Sequence, residues 1–63
     1  MKKYYMVTFT WSRDLYCMNI AHAETEQAVR ARYARYQWVE VRECGTNEVE
    51  AAKRRGMPII EIC

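Results

Sequence analysis

The chain has 63 residues, of which 51% are hydrophobic and 13% aromatic, and its formal net charge is +2. This composition excludes intrinsic disorder, which needs few aromatic residues and a high net charge. The length fits one domain, residues 1–63, which must be packed economically because so small a domain buries only about 60% of its unfolded surface. The sequence pI near 8.5 falls short of the strongly basic range typical of dedicated nucleic-acid-binding domains.

The expected compartment follows from what the sequence lacks. It contains no stretch of about 18 apolar residues that would predict a transmembrane helix, and its first residues do not resemble a signal peptide. The three cysteines, Cys17, Cys44 and Cys63, are widely spaced and form no C-x-x-C motif. This pattern disfavours a disulfide scaffold or a zinc site and favours a reducing compartment. We expect a cytoplasmic protein that has no membrane partner.

Residues 3–11 and 15–22 predict a β-hairpin, because both alternate with a period of two and are rich in aromatic and β-branched residues. The polar stretch Ser12-Arg13-Asp14 predicts the turn. If the loop has an even number of residues, Trp11 faces Tyr16, and all the large side chains of the hairpin lie on one face of the sheet. A one-residue slip would place large and small side chains together on both faces, so we predict the even register. The expected core face holds Tyr5, Val7, Phe9, Trp11, Tyr16, Met18, Ile20 and His22.

A first helix is predicted from Thr25, its N-cap, to about Tyr36. Val29, Tyr33 and Tyr36 recur at helical spacing and form one apolar stripe. Residues 38–44 alternate again and predict a third strand. A second helix at 47–55 is predicted by Thr46 as N-cap, early glutamates, late basic residues and a terminal glycine, Gly56. Residues 59–62 predict the last strand.

The predicted architecture is α+β, with a four-stranded mixed sheet, two helices and the order β-β-α-β-α-β. Each helix has a single apolar stripe, so we expect both to cover the Trp11 face as a two-layer sandwich. The other sheet face would then be open to water. We expect it to carry Thr8, Thr10, Asn19, Glu40, Arg42 and Glu61. The sequence does not determine the strand order.

The sequence does not predict an enzyme. His22 is the single histidine, but no Ser or Cys nucleophile lies at a motif spacing from it, so we expect a structural role. Glu40 and Glu61 could form an acid–base pair on the open face, but a domain of this size offers little cleft around them. The isolated glycines Gly45 and Gly56 do not form a phosphate-binding loop. We therefore predict no catalytic residue and no cofactor.

A metal site is not predicted either. The candidate ligands are Cys17, His22 and Cys44, with Cys63 at a chain end. Cys17 and His22 are five positions apart on one strand, so their side chains point to opposite faces of the sheet. Small thiols that are buried or half-buried are the expected arrangement.

A nucleic-acid interface is the alternative prediction. It would use the basic residues of the two helices: Arg30, Arg32, Arg35, Lys53, Arg54 and Arg55. If the helices lay side by side, these charges would suit a phosphate backbone. Four glutamates on the same helices cancel much of this field, and basic residues in the last turn of a helix stabilise its C-terminus. The expected open face also lacks the paired aromatic residues with which single-stranded RNA binders stack bases.

The prediction we favour is non-catalytic binding to a protein partner or to a second copy of the chain. The strand at 59–62, if it lies at a sheet edge, could pair with another strand. An apolar margin on the outer hairpin would add to this surface. The candidate protein-binding residues are Tyr4, Met6, Leu15 and Ile59.

Three stretches together resemble a group of known proteins: KKYYMVTFTWS at the start, ETEQAVRARYARY in the middle and GTNEVEAAKRRGMPIIEI at the end. As a set they are similar to short proteins without an assigned activity that are encoded in bacterial mobile elements and prophages. The resemblance implies a bacterial cytosolic setting and an accessory role. It carries no chemical motif and therefore implies no functional residue.

Overall fold

The computed structural model describes residues 1–12 and 15–62, with the backbone alone at positions 11 and 12. The elements are β1 (Lys3–Ser12), β2 (Leu15–Ala23), α1 (Glu26–Arg32), β3 (Val39–Glu43), α2 (Thr46–Arg54) and β4 (Ile59–Glu61). In the described residues the strands form one mixed sheet of order β3-β1-β2-β4. The α+β class, the four strands, the two helices and their order confirm the prediction. Of the predicted turn Ser12-Arg13-Asp14, the backbone of Ser12 belongs to β1, and Arg13 and Asp14 lie outside the described residues, as do Cys63 and the side chains of residues 11 and 12.

The register of the β1–β2 hairpin differs from the predicted one by a single residue. Val7 pairs with Asn19, where the even loop predicted Ile20. Ser12 pairs with Leu15, but the register shifts between Thr10 and Ser12, so residue 11 is an extra residue on β1, as in a β-bulge. The predicted pairing of residue 11 with Tyr16 is therefore wrong. Because a one-residue slip inverts every side chain of a strand, Tyr16, Met18, Ile20 and His22 lie on the face opposite to that of Val7 and Phe9.

Both faces of the sheet consequently carry buried apolar side chains. The face covered by α1, which we call the α1 face, holds Tyr5, Val7, Phe9, Ala21, Ala23, Val29, Tyr33 and Ile62. The face covered by α2, the α2 face, holds Ile20, Cys44, Val49 and Ala52, with Tyr4, Met6, Met57 and Ile59 packed against them. Ile20, Val7 and Val29 are fully buried, so each side of the sheet has its own core.

The expected two-layer sandwich with both helices on one face is therefore wrong, because α1 and α2 lie on opposite faces. The reason is the strand order. The connection from β2 to β3 crosses β1 in one direction, and the connection from β3 to β4 returns across β1 and β2 in the other. Crossovers between parallel strands are right-handed in nearly all proteins. Two right-handed crossovers that run in opposite directions place their helices on opposite faces.

Helix α1 begins as predicted and ends earlier. The hydroxyl of Thr25 accepts a hydrogen bond from the backbone N–H of Ala28 at 3.1 Å, as an N-cap does. The helix ends at Arg32 instead of continuing to Tyr36. The predicted apolar stripe nevertheless forms, because a turn carries Tyr36 back to the core, where its ring centroid lies 4.5 Å from that of Phe9.

Helix α2 ends as predicted and begins differently. Gly45, and not Thr46, is the N-cap, and the carboxylate of Glu48 accepts the Gly45 N–H at 3.3 Å. At the other end Gly56 has a φ of 77°, the left-handed conformation that favours glycine. The N–H of Gly56 donates to the carbonyl of Lys53, and the N–H of Met57 donates to that of Ala52, both at 3.0 Å. These bonds form a Schellman motif at the terminal glycine that the sequence predicted.

Candidate functional site: the uncovered part of the α2 face

The side chains of the α2 face form rows across the sheet, because residues paired on neighbouring strands point the same way. One row contains Arg42, Met6, Ile20 and Ile59, and the row beside it contains Cys44, Tyr4, His22 and Glu61. Helix α2 packs over these two rows through Val49 and Ala52. The rows nearer the hairpin end have no helix over them. We call their residues the uncovered patch: Thr8, Thr10, Tyr16, Met18, Trp38 and Glu40.

The uncovered patch presents three large apolar side chains to solvent. Tyr16 is 66% exposed, Met18 46% and Trp38 39%. The rings of Tyr16 and Trp38 meet edge to face with their centroids 5.6 Å apart, which fixes both aromatic side chains on the same surface. Because Tyr16 was assigned to the core in the even register, sequence reasoning missed this patch. The alternation of β2 does place Tyr16 and Met18 on one face. Only the observed register, in which they pair with Thr10 and Thr8, shows that this face is exposed.

A groove of about 380 Å³ adjoins the uncovered patch where the sheet meets α2. Three methionines, Met6, Met18 and Met57, line it together with Ala51 and Ala52. Methionine side chains are flexible and polarisable, so methionine-lined surfaces adapt to partners of different shape. The groove and the patch share Met18 and form one continuous surface.

The polar rim of this groove is ordered by an ion pair. The guanidinium of Arg42 lies 2.7 Å from the carboxylate of Glu48. This hydrogen bond, together with the one from the Gly45 N–H, holds the pKa of Glu48 below its usual value. The same pair raises the pKa of Arg42. Arg55 and Asn47 complete the rim, so both charges and amides surround the methionines.

A second polar cluster lies at the far end of the α2 face, around His22. The Nδ1 atom of His22 is 2.6 Å from a carboxylate oxygen of Glu61, and Lys2 contacts the other oxygen at 3.1 Å. The ring of Tyr4 stacks on the imidazole with centroids 4.4 Å apart. The hydrogen bonds from His22 and Lys2 hold the pKa of Glu61 below its usual value.

Among the described residues, the cluster around His22 includes no hydrogen-bonded nucleophile of the kind that a catalytic dyad uses. Cys44 belongs to the same row of side chains, but Tyr4 stands between it and His22. Cys44 is buried, and burial raises the pKa of its thiol, so the reactive thiolate is disfavoured. In the described residues no Ser, Thr or Cys is hydrogen-bonded to His22. The geometry is that of an imidazole held in place by a ring and a carboxylate.

The glutamates predicted as an acid–base pair are not brought together. Glu40 lies on β3 and Glu61 on β4, the opposite edges of the sheet. Cys17 and His22 point to opposite faces, as expected from their spacing, with Cys17 half-buried on the α1 face. Among the described residues no group of three or more His, Cys, Asp or Glu could hold a metal ion.

The six basic residues of the helices do not form one surface. Arg30, Arg32 and Arg35 lie on the α1 side of the sheet, whereas Lys53, Arg54 and Arg55 lie on the α2 side. Arg30 is engaged with Glu26 at 2.8 Å, and the Arg35 guanidinium lies 5.2 Å from the centroid of the Tyr36 ring. The sheet therefore separates the two groups that the nucleic-acid prediction placed side by side.

The four predicted protein-binding residues are also divided. Leu15 is 54% exposed at the beginning of β2. Met6 lines the methionine groove, and Tyr4 is half-buried against His22. Ile59 is half-buried on β4, which lies at an edge of the sheet as the prediction of edge pairing required. That edge strand is only three residues long, so it offers few backbone groups for pairing.

Comparisons of the chain with protein-family models, with curated proteins and with solved structures gave no match. Neither helix of the described residues is long and apolar enough to cross a membrane.

Proposed function

We propose that this chain is a non-catalytic binding protein that associates with another protein through the uncovered patch. The observation that carries the proposal is the exposure of Tyr16, Met18 and Trp38 side by side on one sheet face. Contiguous exposed apolar side chains with a polar surround are typical of protein-binding surfaces, and aromatic residues and Met are enriched in their centres. Glu40 and the Arg42–Glu48 pair supply that polar surround.

The shape of the surface favours a partner that inserts apolar side chains into the methionine groove. The groove widens the patch and is lined by residues that can repack around an incoming side chain. A partner helix with an apolar stripe fits this geometry, as does the same face of a second copy. Pairing at the β4 edge has less support, since β4 is short.

The first experiment measures self-association, which can be tested with the purified chain alone. Light scattering over a range of concentrations should show a dimer that Met18→Lys dissociates, because a charge placed at the centre of an apolar interface must be desolvated. Ala34→Lys, on an exposed turn residue remote from the patch, is the matched control and should leave the dimer intact. A monomer at every concentration would exclude the second copy as the partner.

A crosslinking capture in host extract tests the wider proposal. We expect a defined protein to be captured by the wild type and by Ala34→Lys, and to be lost with Met18→Lys or Trp38→Ala. Binding through the uncovered patch would be contradicted if Met18→Lys and Trp38→Ala captured the same protein as the wild type. It would also be contradicted if the wild type neither captured a protein nor dimerised.

Nucleic-acid binding remains the second candidate, and one observation favours it. Tyr16 and Trp38 form an exposed aromatic pair on the sheet, the kind of surface on which unpaired bases stack. Titration with a single-stranded oligonucleotide at low salt tests it, with Trp38→Ala and a triple Arg30, Arg32 and Arg35 to Gln variant. If Trp38→Ala abolishes oligonucleotide binding, the uncovered patch is the nucleic-acid interface. If the triple variant abolishes it, the helix arginines are.

We infer a bacterial cytoplasmic setting and an accessory role in a mobile element or prophage. The support is the likeness of the three stretches around residues 2–12, 24–36 and 45–62 to short proteins of such elements. Mapping the gene against its chromosomal neighbours tests this setting. Neighbours that are all housekeeping genes with no element boundary nearby would contradict it.

A further inference from the structure

A small hollow of about 120 Å³ opens on the α1 side of the sheet, on the opposite side from the uncovered patch. Besides apolar side chains, it is lined by two arginines, Arg32 and Arg35, by Tyr33 and Tyr36, and by Asn19. No carboxylate of the described residues contributes to the lining. The hollow thus collects two positive charges and three polar groups in a space well below the range of about 300–1,000 Å³ that small-molecule pockets occupy.

The two guanidinium groups are available to a ligand in different ways. Arg35 is held over the Tyr36 ring and donates from Nη2 to the Tyr36 hydroxyl at 3.3 Å, so its position is partly fixed before any ligand arrives. Arg32 makes no ion pair with any described residue. Arg30, two positions earlier, is instead paired with Glu26 at 2.8 Å. Within the described residues, the two arginines that line the hollow thus keep their charge unpaired, whereas the one outside it is neutralised.

A third donor comes from the buried tyrosine. The side-chain amide of Asn19 donates to the hydroxyl oxygen of Tyr33 at 3.0 Å. The hydroxyl proton of Tyr33 is then left to donate, and no hydrogen bond in the described part of the chain uses it. Tyr33 is only 5% exposed, so this donor is held in place by the core around it.

We propose that this hollow binds a terminal phosphate group, either inorganic phosphate or a phosphate monoester. Two arginines match the charge of such a group, which is about −1.5 to −2 at neutral pH, and guanidinium forks fit its oxygens in a bidentate manner. The Tyr33 hydroxyl supplies a further hydrogen bond to a third oxygen. The small volume admits the phosphate itself and leaves the rest of a monoester outside.

Isothermal titration of the folded chain with inorganic phosphate tests the proposal. We expect saturable binding with one site, weakened about tenfold by Arg32→Gln and by Arg35→Gln, as the loss of a charge-assisted hydrogen bond predicts. Arg30→Gln is the matched control, because it removes the same charge from the same segment outside the hollow. Tyr33→Phe should weaken binding as well, with circular dichroism to verify that each variant is folded.

The ligand source is distinguished by parallel titrations with inorganic phosphate, phosphoserine and phenyl phosphate. Equal affinities for the three compounds would show that the site recognises the phosphate group alone. Tighter binding of phosphoserine or phenyl phosphate would show that the ligand is a monoester of that kind. Affinity for the monoesters should rise as the pH increases through about 6, where a phosphate monoester becomes a dianion, and affinity for inorganic phosphate should rise at a higher pH because its second ionisation is weaker. No saturable binding, or an equal loss in Arg30→Gln and Arg32→Gln, would overturn the proposal, since either shows that no localised site exists.

Discussion

The ring of Tyr4 lies almost parallel to that of His22, with an interplanar angle of 17° and centroids 4.4 Å apart. This contact fixes the plane of the imidazole on the α2 face, so that Nδ1 meets the carboxylate of Glu61. The two contacts join three strands, because Tyr4, His22 and Glu61 lie on β1, β2 and β4. The cluster is therefore a clamp between the hairpin and the short parallel edge strand.

The clamp makes stability depend on pH through Glu61. Its pKa is lowered in the folded protein, first by the hydrogen bond from His22 and then by that from Lys2. A carboxylate whose pKa is lowered by folding contributes stability that is complete above the unfolded pKa, near 4.5, and is lost as the pH falls through the folded pKa. We expect Glu61→Gln to be less stable at neutral pH and to converge with the wild type in acid.

Thermal unfolding followed from about pH 7 to about pH 3 checks this convergence. Glu50→Gln is the control, because it makes the same chemical change at an exposed residue of α2 that has no ion pair with a described residue. It should keep the wild-type profile. A constant separation between the wild type and Glu61→Gln over the whole range would contradict the assignment.

The presence of a core on each face predicts the effect of trimming Ile20. This side chain is fully buried on the α2 face, the face that a two-layer sandwich would have left open. Ile20→Val should lower the free energy of unfolding by about 1 kcal/mol, as the loss of a buried methylene does. Ile59→Val, at a half-buried position of the same row, should cost less. If neither substitution changed the free energy of unfolding measured by chemical denaturation, the result would argue against a packed α2 face.

The two helices differ in how they begin, and two matched substitutions expose the difference. Thr25 caps α1 through its hydroxyl, so Thr25→Ala should cost about 1 kcal/mol. Thr46 is the first helical residue of α2 and makes no capping bond, so Thr46→Ala should be nearly neutral. Denaturant midpoints of both variants provide the measurement. If Thr46→Ala lowered the stability more than Thr25→Ala, the result would favour Thr46 as the N-cap of α2, as predicted from the sequence.

The two glycines differ in the backbone penalty that an alanine would meet. Gly56 has a positive φ, so Gly56→Ala should cost about 1 kcal/mol although the space around it is empty. Gly45 has a φ of −82° and equal room, so Gly45→Ala carries no such backbone penalty. Equilibrium unfolding compares them directly. A Gly56→Ala variant as stable as the wild type would contradict the left-handed ending of α2.

The hydrogen bond between Asn19 and Tyr33 predicts an energetic coupling between β2 and the end of α1. A double-mutant cycle with Asn19→Ala and Tyr33→Phe should give a coupling of about 1 kcal/mol, the usual value for a neutral hydrogen bond. In the register predicted from the sequence, Asn19 would face away from this helix. Additive effects of the two substitutions would favour that register.

The sequence predicts elements well where the determinants are local. The cap at Thr25, the glycine ending at Gly56 and the alternation of Val39 and Val41 each depend on a few neighbouring residues, and the structure contains all three. The register of the hairpin depends on one extra residue before Ser12, and nothing in the residue types marks it as a bulge. A single slip of this kind moved Ile20 and Tyr16 to the face opposite the one predicted.

The placement of the helices was harder to predict for a different reason. Each apolar stripe, such as Val49 and Ala52 on α2, shows that a helix packs on a sheet but not on which face. The choice follows from the direction of each crossover, and hence from a strand order that only long-range pairing determines. The candidate surface around Met18 and Trp38 could not be found until both the register and the placement of α2 were known.

The extra residue between Thr10 and Ser12 also identifies where the chain length can change in evolution. Removing one residue there would let the pairing of Val7 with Asn19 continue unbroken to the turn and would leave both cores intact. Removing one residue from the middle of β1 would instead exchange the buried and exposed sides of everything beyond it. Length variants of this chain should therefore differ at the hairpin tip, with strand centres of constant length.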